Sequence, residues 1–194
     1  DHQLFSSSGG TSFEAWKESH PPFHWIAEYY QIIQGNGGFD VIIGNPPYVE
    51  YNKKDKVTGK SVSDIYKLNN YATLECGDLY AFCVERSVLN LLKKHGKIGM
   101  IVPISISSTD GYKSLRTLLD KNLPGIYISK FGVRPAKLFD GVDKRLTIII
   151  SSNDKKYYST KYYRWLTLER IFLFQSILYS EVELDKLNIS GVPK

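Results

Sequence analysis

Residues 39–48 read Phe-Asp-Val-Ile-Ile-Gly-Asn-Pro-Pro-Tyr, and the fold turns on how this stretch divides. Phe39 to Gly44 is a short apolar run rich in β-branched residues, the composition of a buried strand. The turn residues Gly35-Asn36-Gly37-Gly38 precede it. Pro46 and Pro47 end it, because proline has no N–H to give to a sheet ladder. Asn45-Pro46-Pro47-Tyr48 therefore sits at the carboxyl end of a strand, where open α/β sheets bind their ligands.

Downstream, helix and strand patterns alternate. Leu79, Phe82, Cys83, Val84, Val88, Leu91 and Leu92 recur at helical spacing, so a helix is expected over 79–94, with Asp78 as N-cap and Gly96 as its stop. Lys97 to Val102 reads as a second buried strand ending at Pro103. A second helix is expected after Thr109 or Asp110, with Tyr112, Leu115, Leu118 and Leu119 turned inward, ending before Pro124-Gly125. Ile126 to Phe131 and Leu146 to Ser151 read as further strands, and Tyr157 to Trp165 as a fifth. This order predicts a largely parallel α/β sheet. It amounts to about half of a doubly wound domain, which leaves one face and one edge uncovered, so a partner half is expected. Upstream, Ser6 to Ser12 reads as a flexible connection, with Pro21-Pro22 as a break and a helical or extended piece over Trp25 to Ile33. The expected organisation is a linker or partly ordered segment over 1–22, the half-domain over 23–166, and a helix or linker over 167–194.

The 194 residues carry 25 Lys and Arg against 20 Asp and Glu, a net charge of +5, which permits an anionic partner without demanding one. Aromatic residues make up 13%, too many for a disordered chain. No apolar run approaches the roughly 20 residues of a membrane helix, and the first residues do not read as a signal peptide. Cys76 and Cys83 are the only cysteines, so no disulfide framework is implied and a cytoplasmic location fits. The four histidines have no companions at metal-ligand spacing, so no metal is expected.

The four motif residues suit one kind of chemistry. An amino group conjugated to an aromatic ring, or an amide nitrogen, is a poor nucleophile because its lone pair is delocalised. Two acceptors aimed at its two hydrogens favour the reactive pyramidal form. Asn45 offers its side-chain oxygen and Pro46 its carbonyl, and the paired prolines hold both in place. Tyr48 offers a flat face for a planar group.

Phe39 to Val49 resembles the catalytic motif of S-adenosylmethionine-dependent amino-group methyltransferases. It is most similar to the Eco57I-like, type IIG restriction-modification adenine-N6 DNA methyltransferases. Further motifs follow in that family's order. Pro22-Phe23-His24-Trp25 precedes the strand, Asp78-Leu79-Tyr80-Ala81-Phe82 opens the helix, Gly96 to Pro103 forms the next strand, and Ala136 to Val142 resembles a later aromatic motif. The resemblance implies a Rossmann-like sheet with its last strands antiparallel. It implies methyl transfer from S-adenosylmethionine to N6 of an adenine flipped out of duplex DNA, within a restriction-modification or phage-defence system. It assigns Asn45, Pro46, Pro47 and Tyr48 to catalysis, and Tyr48 and Phe139 to stacking on the base. It assigns Asp78, Tyr80, Phe82 and Cys83 to the cofactor side, where Cys83 stands in place of the family's usual aromatic. Lys53, Lys54 and Lys56, with Lys60 nearby, are candidate DNA-backbone contacts, as are Lys137, Lys144 and Arg145, flanked by Lys130 and Arg134. The aromatic and basic run from Tyr157 to Trp165 fits core aromatics on an edge strand better than base stacking.

The glycine-rich turn that would hold the cofactor's methionine part, and the acid for its ribose, are absent from this sequence. Gly35 to Gly38 precedes a strand, whereas that turn follows one. The isolated chain is therefore expected to be inactive, and to need both the other half of the methyltransferase domain and a DNA-recognition domain. Two other functions share the residues: methylation of a protein glutamine or an RNA guanine, and a non-catalytic DNA-docking role. Exposure of Asn45 and Tyr48 in a cleft speaks against the second.

Overall fold

The computed structural model describes residues 24–183, together with Glu14, Ala15 and Glu18. The linker expected over 1–22 and the last residues of the chain otherwise lie outside the described residues. Six strands form one sheet in the order β1-β2-β4-β3-β5-β6. They are β1 (Phe39–Gly44), β2 (Leu92–Pro103), β3 (Gly125–Phe131), β4 (Leu146–Ser152), β5 (Tyr157–Tyr163) and β6 (Tyr179–Val182). Among the described residues two α-helices longer than a single turn, α1 (Leu79–Arg86) and α2 (Lys113–Asn122), complete the frame.

The α/β class stands, and the sheet is mixed. β1 pairs with β2 and β3 with β5 in parallel, whereas β4 runs antiparallel to both β2 and β3, and β6 antiparallel to β5. The reason lies in the connections. Helical crossovers carry the chain from β1 to β2 and from β2 to β3, as parallel strands require, but the link from β3 to β4 contains no helix and returns the chain directly. The helix or linker expected over 167–194 is, in its described part, three successive single turns from Thr167 to Ser176 and then β6. β5 is thus an inner strand, not an edge. The piece expected over Trp25 to Ile33 is helical, as a turn at Trp25–Glu28 and a wider one at Gln31–Gly35.

The helix expected over 79–94 is shorter. α1 loosens into a π-type turn at Ser87–Leu91, and the chain joins β2 at Leu92, opposite Phe39. The ladder skips between the Phe39 and Val41 pairings, so Lys93 to Gly96 bulges out. His95 there has φ 68°, and a Cβ on Gly96 would lie 2.9 Å from the Phe39 carbonyl oxygen, which is why glycine stands at this crossing.

Because side chains alternate across a strand, the pairing of Met100 with Ile149 and of Ile101 with Ile148 puts these pairs on opposite faces. One face carries the main core. Tyr80, Ala81 and Val84 of α1 and Leu115, Leu118 and Leu119 of α2 pack on Ile98, Met100, Val102, Ile126, Ile128 and Ile149. Tyr112 and the three leucines are buried as their spacing predicts. A second cluster around Phe131, Leu146, Tyr163 and Trp165 lies toward the carboxyl end of the sheet. Of the aromatics of β5 and its exit, Tyr163 and Trp165 are therefore interior, whereas Tyr157, Tyr158 and Tyr162 are half-buried. β1, by contrast, has no neighbour on its outer side among the described residues, and against the buried strand expected none of its residues is buried: Val41 and Ile43 are 57% and 83% exposed.

Lys130, a candidate backbone contact by sequence, is fully buried opposite Thr147 and cannot reach a phosphate. Burial lowers its ammonium to about 8. The unfolded chain keeps its proton up to roughly 10.4, so between these values the unfolded state binds more protons and stability rises with pH. Relative to Lys130→Met, the wild-type chain should gain up to about 3 kcal/mol in unfolding free energy from pH 7 to 10.5. Denaturant titrations of both proteins across that range check this, and a flat difference contradicts it.

Candidate functional site

The motif leaves β1 at Gly44, which lies beside Met100 of β2; a Cβ there would come within 2.9 Å of the Met100 sulfur. Asn45 is exposed and Tyr48 half-buried. The Tyr48 hydroxyl lies 2.5 Å from Asn45 Oδ1 and 2.9 Å from the Ile101 carbonyl oxygen, both acceptors for its one hydrogen. This fixes the Asn45 carboxamide next to the end of β2. Burial raises the Tyr48 phenol above its ordinary value, so it stays a neutral donor. The Tyr48 ring meets Tyr80 edge-on with centroids 6.5 Å apart and borders both core clusters.

The chain beyond the motif is tied to the start of α1. Leu79 N donates to the Val49 carbonyl (2.9 Å) and Tyr51 N to the Gly77 carbonyl (2.7 Å). Tyr51, buried against Phe82, donates through its hydroxyl to the Tyr66 carbonyl and accepts from Leu68 N. The buried Glu85 carboxylate accepts from Ala72 N, Thr73 N and the Thr73 hydroxyl. Tyr51 and Glu85 thus hold the long segment between the motif and α1. Nothing in a single sequence separates them from other tyrosines and glutamates.

Besides an apolar cavity of about 460 Å³ that Gly44 and Asn45 share with Val41, Ile43 and Ile150, two cavities flank the motif. The first, of about 400 Å³, is lined by Ile42, Asn45, Pro46, Cys83, Ser87 and Leu91 among others, and opens at the free side of β1. The other, of about 340 Å³, is lined by Tyr48, Val49 and a set of lysines. Of the four residues expected on the cofactor side, only Cys83 lines the first cavity. Tyr80 is fully buried, with its hydroxyl 2.8 Å from Ser105 Oγ and its phenol pushed far up by burial. Phe82 packs between Tyr51 and Tyr71 and is 3% exposed. Both serve the interior because α1 turns these positions toward the sheet and the loop. Asp78 occupies the N-cap position of α1 but makes no side-chain cap bond; its carboxylate accepts from the Tyr112 hydroxyl instead.

Phe139 is partly buried and borders the same cluster as Tyr48. The candidate phosphate contacts divide. Lys53 pairs with Glu50 (2.9 Å), and Lys137 with Asp143 (2.6 Å), whose carboxyl the hydrogen bond from Lys137, and then its charge, hold below the usual range. Lys144 donates to the Tyr48 carbonyl (3.2 Å), and its ammonium lies 6.0 Å from the Tyr48 ring centroid. Lys54, Lys56 and Arg145 are exposed, and among the described residues none has a carboxylate within 4.0 Å. Among the described residues no group of His, Cys, Asp and Glu is arranged to hold a metal. No helix among them is long and apolar enough to cross a membrane.

β1 of the mixed α/β sheet thus ends in Asn45, Pro46, Pro47 and Tyr48, beside a cavity with largely apolar walls. The sequence model of the Eco57I restriction-modification methylase family matches residues 3–133, more than half of the chain, and the chain belongs to that family. It is 32% identical over 158 residues to the type II restriction enzyme and methyltransferase RM.Eco57I of Escherichia coli, covering 77% of this chain and 15% of that protein. Among solved structures, it superposes with a TM-score of 0.58 at 16% identity on a nuclease-deletion mutant of the Type ISP restriction-modification enzyme LlaGI in complex with a DNA substrate mimic, covering 79% of this chain and 15% of that one. A DrdV–DNA complex gives 0.56 at 18% identity, covering 76% and 18%. These two likenesses concern the fold. The chain spans 15 to 18% of the length of the relatives named here.

Proposed function

We propose that this chain carries the catalytic motif of an adenine-N6 DNA methyltransferase in a restriction-modification system, acting in the cytoplasm on double-stranded DNA. The observation that supports it most is the position of Asn45 to Tyr48 between the two cavities, with Asn45 exposed. That exposure weighs against a purely structural or DNA-docking role. The family's restriction-modification character weighs against a protein-glutamine or RNA-guanine acceptor.

The residues present fit part of S-adenosylmethionine. The first cavity has apolar walls, Cys83 at its side and the motif at its mouth. When bound, the cofactor supplies an electrophilic methyl group on a sulfonium. The chain's own residues do the rest. Asn45 Oδ1 and the Pro46 carbonyl accept from the two hydrogens of the adenine amino group, holding its nitrogen with the lone pair toward the cavity. Tyr48 stacks on the extruded base, and Phe139 closes it from the far side or edge. Asn45 Oδ1 has two lone pairs, so it can accept from the amino group while the Tyr48 hydroxyl bonds either it or the Ile101 carbonyl.

Among the described residues no strand followed by a glycine-rich turn, and no ribose-binding acid, accompanies this cavity. On this reading the remaining half of the methyltransferase domain docks along the free side of β1, covers Val41 and Ile43 and completes the cofactor site, while a DNA-recognition domain supplies sequence choice. The chain by itself should then bind S-adenosylmethionine weakly or not at all. Calorimetry on the purified chain tests this directly. A low-micromolar dissociation constant, about 8 kcal/mol, would show that the missing half is not needed.

A further inference from the structure

We infer that the lysine-lined cavity beside Tyr48 is a discrete subsite for one phosphodiester of the target strand, the one flanking the extruded nucleotide. This deepens the proposed function and rests on it. The cavity is lined by Lys53, Lys54, Lys56, Lys60 and Lys144 against two carboxylates, Glu50 and Asp55. Both carboxylates are already engaged. Glu50 holds Lys53. Asp55 accepts from Val57 N, Thr58 N and the Thr58 hydroxyl, and those bonds keep its carboxyl below the usual range. Asp64 acts on Lys54 at longer range, but its carboxylate is bonded to the Ser61 N–H and hydroxyl. Among the described residues Lys54, Lys56 and Lys60 have no carboxylate within 4.0 Å. Uncompensated cations around a concave site call for a multivalent oxyanion.

The position selects which anion. Tyr48 is the wall shared between the motif and this cavity. Asn45 and Pro46, which read the amino group, line the first cavity, with which the lysine-lined one shares no residue. A nucleotide carries base and phosphate one sugar apart, so a base stacked on Tyr48 brings its own flanking phosphate to the lysines. Lys144 links the two, since its ammonium lines the cavity and holds the Tyr48 carbonyl. The loop supplying the other lysines is closed on itself by Asp55 N bonding to the Lys60 carbonyl (2.9 Å) and Gly59 N to the Asp55 carbonyl (2.9 Å), with Gly59 at φ 69°. The cations are thus presented by an ordered turn.

The test uses the full-length protein containing this chain and duplexes with one uncharged methylphosphonate at successive positions around the target adenine. Binding is measured for the wild type and for Lys54→Gln/Lys60→Gln, both exposed loop positions. For the wild type, one linkage next to the target should lose about tenfold in affinity when neutralised, and in the double variant that position should lose no more than its neighbours. Equal losses at every linkage, or the same profile in the variant, overturn the subsite in favour of diffuse backbone contact. Binding and methylation of the unmodified duplex are read alongside. Their absence in the wild type would refute the proposed function itself, whereas their presence with a flat profile refutes only the subsite.

Discussion

Asn45→Ala in the full-length protein is expected to lower the methylation rate a hundredfold or more, with little change in DNA affinity. Losing one pre-organised transition-state hydrogen bond costs about 3 kcal/mol in comparable sites. The side chain is exposed and its one described partner is the Tyr48 hydroxyl, which retains the Ile101 carbonyl as acceptor. Folding should therefore be nearly unaffected. Single-turnover methylation of a duplex, with the unfolding midpoint measured in parallel, separates the two effects. Near-normal turnover would remove Asn45 from the chemistry.

Tyr48→Ala is expected to act on base capture. A stacking ring contributes roughly 1–3 kcal/mol per base, so binding to the target should weaken by about tenfold or more. The loss should be seen with 2-aminopurine at the target position, whose emission rises when it leaves the stack. A mismatched target should bind the wild type better than a paired one, because less unpairing energy is spent. Tyr48→Phe keeps the ring and removes the bonds to Asn45 and Ile101, so it should keep the fluorescence change and lose part of the rate. If Tyr48→Ala leaves the 2-aminopurine signal intact, stacking on Tyr48 is wrong and an amide acceptor gains ground.

What the sequence made legible were the elements whose patterns are local. The inward face of α2 and the strand cores of β2, β3 and β4 show in hydrophobic pattern alone, and the structure places them as read; the run from Phe39 to Gly44 is a strand as read but not a buried one, because it stands at the end of the sheet with Val41 and Ile43 exposed. The placement of Asn45 to Tyr48 at a strand end followed from the same pattern. What stayed hidden depends on contacts between distant segments. The bulge at Lys93 to Gly96 is set by how β2 meets Phe39, and β6 has too few apolar residues to announce a strand. Tyr80, Phe82 and Cys83 are adjacent on one helix, and only the packing of Tyr51, Tyr71 and Ser105 shows that the two aromatics are interior while the thiol lines the cavity. Likewise, Lys130, Lys137 and Lys144 look alike in sequence. The fold buries the first, pairs the second with Asp143 and sets the third on the Tyr48 carbonyl.

The most direct measurement is the identity of the methylated product. Duplex DNA treated with the full-length protein and S-adenosylmethionine carrying a labelled methyl group should yield N6-methyladenine at a fixed sequence on nucleoside analysis, and Asn45→Ala should slow the labelling about a hundredfold or more. Label found in protein or RNA, or on cytosine, or retained undiminished in Asn45→Ala, would contradict adenine methylation by this motif.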